Sequence, residues 1–279
     1  MDYVTLNNGV KMPQLGYGVY QTPTEETESC VLTAIKNGYR SIDTAQAYGN
    51  EEGVGQAIVK CGLPREELFI TTKIWISNAG YENAKASIEE SLKKLKTDYV
   101  DLLLIHQPFG DYYGTYRAME ESYKAGKARA IGVSNFYPDR YIDIAHFAEV
   151  VPAVNQVETH VFQQQKVARE YLAKHNTQIM SWGPFAEGKN DFFNTPVLKE
   201  IGAKYGKSVA QVALRFLLQN SVVVIPKSTH EERMQENFNV FDFVLTDEEM
   251  KQMEVLDTGK SLFFSHYSPE TVEWFMSIV

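Results

Sequence analysis

The chain has 279 residues, 27 basic against 36 acidic side chains, and a formal net charge of −9. With 44% hydrophobic residues it can bury a large core, which excludes disorder, coiled coil and collagen-like structure. The acidic balance speaks against nucleic acid or an anionic membrane as the main partner, because both need clustered positive charge.

Two cysteines, Cys30 and Cys61, make no disulfide framework and read as reduced thiols. No apolar run reaches the roughly 18 residues of a membrane span. The opening residues MDYVTLNNGVKMPQLG lack the apolar stretch of a signal peptide, so a cytoplasmic protein is expected.

In chain order, Tyr3–Leu6 and Val10–Met12 flank Asn7-Asn8-Gly9, a hairpin signal. Short apolar runs then alternate with helical patterns. The runs are Gln14–Gly18, Tyr39–Asp43, Leu68–Lys73, Tyr99–His106, Ala128–Ser134, Ala153–Glu158, Gln178–Trp182 and Val222–Pro226. Several are nearly continuous in apolar residues, as expected of strands covered on both faces. Among the helical segments, Thr24–Asn37 begins with a threonine and two glutamates and stops at Gly38. Tyr81–Lys94 carries Ala84, Ile88 and Leu92 at helical spacing, continued by Leu95. Ser208–Gln219 opens on a serine and places Val209, Val212, Ala213 and Phe216 on one stripe. Two more helices, Glu231–Phe238 and Thr246–Leu256, follow the last run, and then an irregular tail.

Eight strands alternating with helices predict a parallel (β/α)8 TIM barrel, with the hairpin closing its bottom and two extra C-terminal helices. An open doubly wound sheet is the structural alternative. No linker or low-complexity stretch divides the chain, so residues 1–279 are expected to form one domain.

Active sites of such barrels lie at the C-terminal ends of the strands. The second run ends in Asp43, with Tyr48 in the loop beyond; the third ends in Lys73 and the fourth in His106. Further ends supply Ser134-Asn135, Asn155-Gln156, Trp182 and Pro226-Lys227-Ser228. A lysine after a strand is ordinarily a rim charge, and a lone histidine ordinarily a satisfied core residue. Their concentration at one end of successive strands is what those explanations leave out. No HExxH, CxxC or carboxylate cluster supports a metal-dependent hydrolase, and there is no GxSxG elbow.

A tyrosine beside a lysine suits proton transfer. Free tyrosine titrates near ~10, too high for an efficient shuttle at neutral pH. An ammonium about 4 Å away stabilises the phenolate by up to ~4 kcal/mol at an effective dielectric of ~20. That could lower the tyrosine pKa by up to ~3 units before burial opposes it. Asp43 would keep Lys73 charged, Lys73 would tune Tyr48, and His106 would orient a substrate oxygen. Such a set suits carbonyl reduction or alcohol oxidation.

The motifs Leu15–Gly18 (LGYG), Asp43–Glu51 (DTAQAYGNE), Thr72–Trp75 (TKIW), Asp101–His106 (DLLLIH), Gly132–Phe136 (GVSNF), Asn155–Glu158 (NQVE) and Ile225–Ser228 (IPKS) occur in this order. Through them the sequence resembles the aldo-keto reductase superfamily over nearly its whole length, most closely its prokaryotic branch acting on small carbonyls. The resemblance implies a catalytic tetrad of Asp43, Tyr48, Lys73 and His106. It implies an extended NADPH or NADP+ across the barrel top rather than a Rossmann site, since Gly16-Tyr17-Gly18 lacks the third glycine and opens no helix. Ser134, Asn135 and Gln156 match positions that hold the carboxamide, and Trp182 an aromatic that stacks on the nicotinamide. Lys227, Ser228, Arg233 and Asn237 match the 2′-phosphate site, although His230 stands where many relatives have a hydroxyl residue.

Tyr20, Trp75, His106 and Phe109 are the expected substrate contacts, with Phe185 and the tail around Phe263-Phe264 as further apolar wall. Gln107 replaces the tryptophan that many relatives carry after the histidine. The expected activity is NADPH-dependent reduction of small aldehydes or ketones by a monomer, without a metal. A cofactor-binding regulatory barrel with little turnover is the alternative, and the intact tetrad argues against it.

Overall fold

A computed structural model describes residues 1–279. The chain opens with β1 (Tyr3–Thr5) and β2 (Lys11–Pro13), paired antiparallel. Leu6 N donates to Val10 O at 2.9 Å and Gly9 N to Leu6 O at 2.9 Å, so Asn7-Asn8-Gly9 is the turn. Gly9 takes φ +86°, a region that a side chain would strain. Asn7 and Asn8 donate to the carbonyls of Pro152 and Arg129, which ties the hairpin tip beneath the strands.

Eight parallel strands follow: β3 (Tyr17–Gly18), β4 (Ser41–Asp43), β5 (Phe69–Ile74), β6 (Leu102–Ile105), β7 (Ile131–Ser134), β8 (Val154–Glu158), β9 (Gln178–Trp182) and β10 (Val223–Val224). Each pairs with its neighbour in sequence. The first and last meet as well. Gly16 N donates to Val224 O at 2.8 Å, Val224 N to Gln14 O at 2.9 Å, and Gly18 N to Pro226 O at 3.3 Å. These bonds close the sheet into the expected barrel. At this seam a Cβ on Gly18 would lie 2.9 Å from the Ile225 carbonyl oxygen, so the close approach needs glycine.

Seven of the eight predicted runs contain their strand, and β5 runs one residue past its predicted end, to Ile74; the paired segment is shorter than the apolar run in most cases. β5 is buried at all six positions, because helices cover its outer face and the barrel interior its inner one. The interior is packed by Phe69, Leu102, Leu104, Val154, Met180, Val223 and Ile225, closed below by Leu6 and Met12 of the hairpin. The larger apolar core lies between the strands and the surrounding helices.

Those helices are α1 (Thr24–Lys36), α2 (Glu51–Lys60), α3 (Tyr81–Leu95), α4 (Tyr112–Lys124), α5 (Pro138–Phe147), α6 (Lys166–Ala173), α7 (Pro196–Tyr205) and α8 (Val209–Gln219). Then come α9 (Glu231–Phe238), α10 (Asp247–Glu254) and α11 (Pro269–Ser277). Sequence punctuation bounds only α1, α3, α8, α9 and α10 in advance, and the tail expected to be irregular contains α11. Of the rest, α7 shares a feature with α11. Both open on proline at the first helical turn, and Ser268 caps α11 by accepting from Thr271 N. No helix is long and apolar enough to cross a membrane.

Two helices carry complete capping boxes. In α8 the pair is Ser208 and Gln211; in α10 it is Thr246 and Glu249. Thr246→Ala is expected to cost about 1 kcal/mol in urea denaturation, because the Glu249 amide loses its acceptor.

Candidate active site

Asp43 ends β4, Lys73 lies near the end of β5, and His106 follows β6, so the parallel register places all three at one mouth of the barrel. Tyr48 reaches the same place from the single helical turn Gln46–Tyr48 beyond β4. Asp43 and Lys73 are 1% and 0% exposed, which makes an unpaired charge at either prohibitive. Lys73 Nζ lies 2.5 Å from Asp43 Oδ1, 2.9 Å from the Thr44 carbonyl oxygen and 3.3 Å from the Tyr48 hydroxyl. These three partners use all three ammonium donors.

His106 is 9% exposed, its ring centroid 5.5 Å from that of Tyr48 and 5.1 Å from that of Trp75. Its Nδ1 is buried without a partner. A bare acceptor there is less costly than a stranded N–H, so the ring proton belongs on Nε2, the nitrogen left to face the cleft. Burial first, then the charge of Lys73, then His266, hold the His106 pKa well below the usual histidine range, so the ring is neutral at pH 7.

The balance at Tyr48 differs from the sequence expectation. Burial raises its phenol well above the ordinary value, and Asp43 and then Tyr20 push the same way. The nearby ammonium is present, but Asp43 holds it more closely than Tyr48 does. Lys73 itself is lowered by burial, with Asp43 opposing the loss of its proton. Tyr48 therefore stays protonated at neutral pH.

The remaining expected residues ring this centre. Ser134 ends β7 and donates to the Gln156 carbonyl oxygen at 2.9 Å. Asn135 adopts φ +63° and spends its amide inside the protein, donating to the His106 carbonyl oxygen at 3.1 Å and accepting from Trp182 Nε1 at 2.8 Å. Gln156 donates to Asp43 Oδ2 at 2.8 Å, so that amide also supports the tetrad. Trp182 packs edge-on against Phe263, with centroids 5.1 Å apart.

Lys227, Ser228, Arg233 and Asn237 meet at a separate cleft of about 620 Å³, bordered also by Phe185 and Phe193. Lys227 and Arg233 are exposed, and neither forms an ion pair. Asn237 is 5% exposed, and no protein hydrogen bond engages its side chain.

Of the expected substrate contacts, Tyr20 is half exposed, with its ring 5.0 Å from that of Tyr48, and Trp75 is partly exposed. Phe109 is 6% exposed and packed with Ile76 and with Phe275 of α11, in the same apolar cluster as Trp75. Two polar residues escaped the site prediction. Gln107 is 7% exposed and accepts from His266 Nε2 at 2.7 Å; Glu158 holds Ser261 Oγ at 2.5 Å. Their partners lie more than a hundred residues away, with no local signal in sequence.

Comparison with known proteins agrees with this geometry. The sequence model described as "Aldo/keto reductase family" matches residues 9–258. Glyoxal reductase of Bacillus subtilis is 49% identical, over 92% of this chain and 93% of its own. The 9,11-endoperoxide prostaglandin H2 reductase of Trypanosoma cruzi is 47% identical, over 93% of each chain. Among solved structures, an aldo-keto reductase of Bombyx mori in complex with NADP superposes with a TM-score of 0.88 at 33% identity, covering 93% of this chain and 94% of that one. A match over most of the chain, joined to a closed barrel carrying its ionisable groups at one mouth, places this protein in the aldo/keto reductase family.

Proposed function

We propose that the chain is an NADPH-dependent carbonyl reductase for small aldehydes and ketones, glyoxal among them, with Asp43, Tyr48, Lys73 and His106 as its catalytic residues. The observation that carries this reading is the Tyr48 hydroxyl 3.3 Å from a fully buried Lys73, with a neutral His106 facing the same cleft. Two relatives of nearly equal identity are named for chemically different substrates, an endoperoxide and a dicarbonyl, so identity alone does not select the substrate.

The residues present fit the dinucleotide. Two unpaired cations and an unengaged, buried Asn237 border one cleft, a donor set suited to a phosphate. The one carboxylate on that cleft, Glu236, is hydrogen-bonded to Ser208. In this reading Lys227, Ser228, Arg233 and Asn237 hold the 2′-phosphate, while Ser134, Asn135, Gln156 and Trp182 face the nicotinamide. The bound cofactor supplies hydride to the carbonyl carbon. His106 Nε2 donates a hydrogen bond to the carbonyl oxygen and fixes its position. Tyr48, protonated at rest, gives its proton to that oxygen as negative charge develops there. Lys73 then stabilises the phenolate, and Asp43 keeps Lys73 charged throughout. Tyr20 and Trp75 supply apolar wall.

The site is assembled from one chain. We therefore take residues 1–279 as one domain and expect a monomer to be active. A cytoplasmic location belongs to the same proposal, with Cys30 and Cys61 as free thiols.

The test of the reading is NADPH consumption across a panel of small aldehydes, ketones and keto-sugars. No turnover with any of them, despite NADPH binding, would favour the regulatory alternative. Cofactor choice has its own test. A hydrogen bond to a charged group contributes about 1.5–3 kcal/mol, so Arg233→Ala is expected to raise the KM for NADPH about ten- to hundredfold. The KM for NADH should barely change. Equal losses with the two cofactors, or a wild-type preference for NADH, would remove the phosphate role.

A further inference from the structure

The segment 261–266 crosses the barrel mouth between two buried latches. At one end, Glu158 of β8 accepts from Ser261 Oγ at 2.5 Å and from Leu262 N at 2.9 Å. At the other, Gln107 Oε1 accepts from His266 Nε2 at 2.7 Å. Gln107 and His266 are 7% and 3% exposed, and Glu158 is 5% exposed beneath the half-buried Ser261 and Leu262, so each latch is anchored on a buried side chain. His266 also stacks near Phe109 and Phe275, at 5.7 and 5.9 Å between centroids. Burial, then the charge of Arg140, hold its pKa down at about 4, so it donates to Gln107 as a neutral ring.

The same Gln107 oxygen accepts a second hydrogen bond, from Asn135 Nδ2 at 3.2 Å. Asn135 Oδ1 accepts from Trp182 Nε1 at 2.8 Å, and the Trp182 ring packs on Phe263 at 5.1 Å. Phe263 lies between the two latches. The contacts therefore form a closed circuit that leaves the C-terminal segment through His266, passes Gln107, Asn135 and Trp182, and returns through Phe263. A methyl-terminated side chain at position 107 could not accept both bonds, and the circuit would open at its one branching oxygen.

We propose that Gln107 is a positioning residue that couples the seating of the C-terminal segment to the placement of Asn135 and Trp182. The inference rests on the proposed function, which sets those two residues against the nicotinamide. By linkage, a segment that seats Asn135 and Trp182 is itself held more firmly when the cofactor is bound. Gln107 touches neither substrate nor reacting atoms in this account; it acts through Asn135.

The test combines cofactor titration, steady-state kinetics and limited proteolysis of the full chain. In the wild type, NADPH should slow cleavage within residues 258–279. In Gln107→Leu that protection should disappear. Loss of a buried hydrogen bond predicts up to about a tenfold rise in the NADPH Kd and the carbonyl KM, with kcat lowered less. His266→Leu should reproduce these shifts, and the double variant should be no worse than either single one. His266→Gln, which keeps a donor at that place, should recover most of the affinity. If Gln107→Leu fails to fold, the comparison of His266→Leu with His266→Gln carries the same decision. Additive losses, equal losses in the two His266 variants, or undiminished protection by NADPH in Gln107→Leu would overturn the coupling. Failure of the wild type to bind NADPH would instead overturn the functional reading beneath it.

Discussion

Tyr48→Phe is expected to reduce kcat by about 10²–10⁴-fold, the range for a positioned general acid, while leaving NADPH affinity within about twofold. The substitution removes one oxygen and keeps the ring that packs against Tyr20 and His106. It leaves the buried pair of Lys73 and Asp43 intact, so little stability should be lost. The proton donor alone disappears. Single-turnover NADPH oxidation measures the chemical step, and cofactor fluorescence measures binding. Near-native turnover in the variant would assign the proton to another group.

The direction of the Tyr48 shift adds a pH expectation. A phenol raised above its ordinary value stays protonated through the neutral and mildly alkaline range. Reduction should therefore not decline between about pH 7 and 9, where a phenol lowered by ~3 units would already have lost its proton. His106 works in the same sense from the other side. Its pKa is depressed, so it stays neutral down through the pH at which an ordinary histidine charges.

Parts of this site were legible because they obey local rules. A strand buried on both faces must be nearly continuous in apolar residues, so Asp43, Lys73 and His106 stood out as ionisable groups at strand ends. Parallel pairing then brought those ends together without any further information. What remained hidden depends on distance along the chain or on depth. Whether Lys73 lowers the Tyr48 pKa is decided by burial, and spacing carries no measure of burial. The amides of Asn135 and Gln156 read as cofactor donors, yet the Asn135 amide is taken up by His106, Gln107 and Trp182, and the Gln156 amide by Asp43. Phe109 read as pocket wall because its loop borders the mouth; its packing against Phe275 of α11, a helix at the far end of the chain, left no sign in the sequence around it. The caps of α11, Ser268 and Pro269, were in the sequence; the run Trp274-Phe275-Met276 obscured the helical stripe.

Lys73→Met should be the most destabilising of the changes considered, costing about 3–5 kcal/mol, as expected when one partner of a buried ion pair is removed. Methionine fills a similar volume, so the loss is electrostatic. The Asp43 carboxylate would be left 1% exposed, with only the Gln156 amide at 2.8 Å to replace the ammonium. Such a group escapes its cost by taking up a proton, which raises its pKa in the folded state. A folded state that binds the extra proton loses stability as pH rises, so the variant should be weakest at neutral pH and partly recover in mild acid. The wild type should show no such recovery from this pair. Adding Asp43→Asn to Lys73→Met removes the stranded charge, so the double variant should be more stable than Lys73→Met alone. Both should remain poor catalysts, because neither has a cation to hold the Tyr48 phenolate. Urea denaturation at several pH values, set beside kcat, separates the two effects. Equal stability of the single and double variants would mean that Asp43 is not stranded, and that Lys73 does not serve as its sole counter-charge.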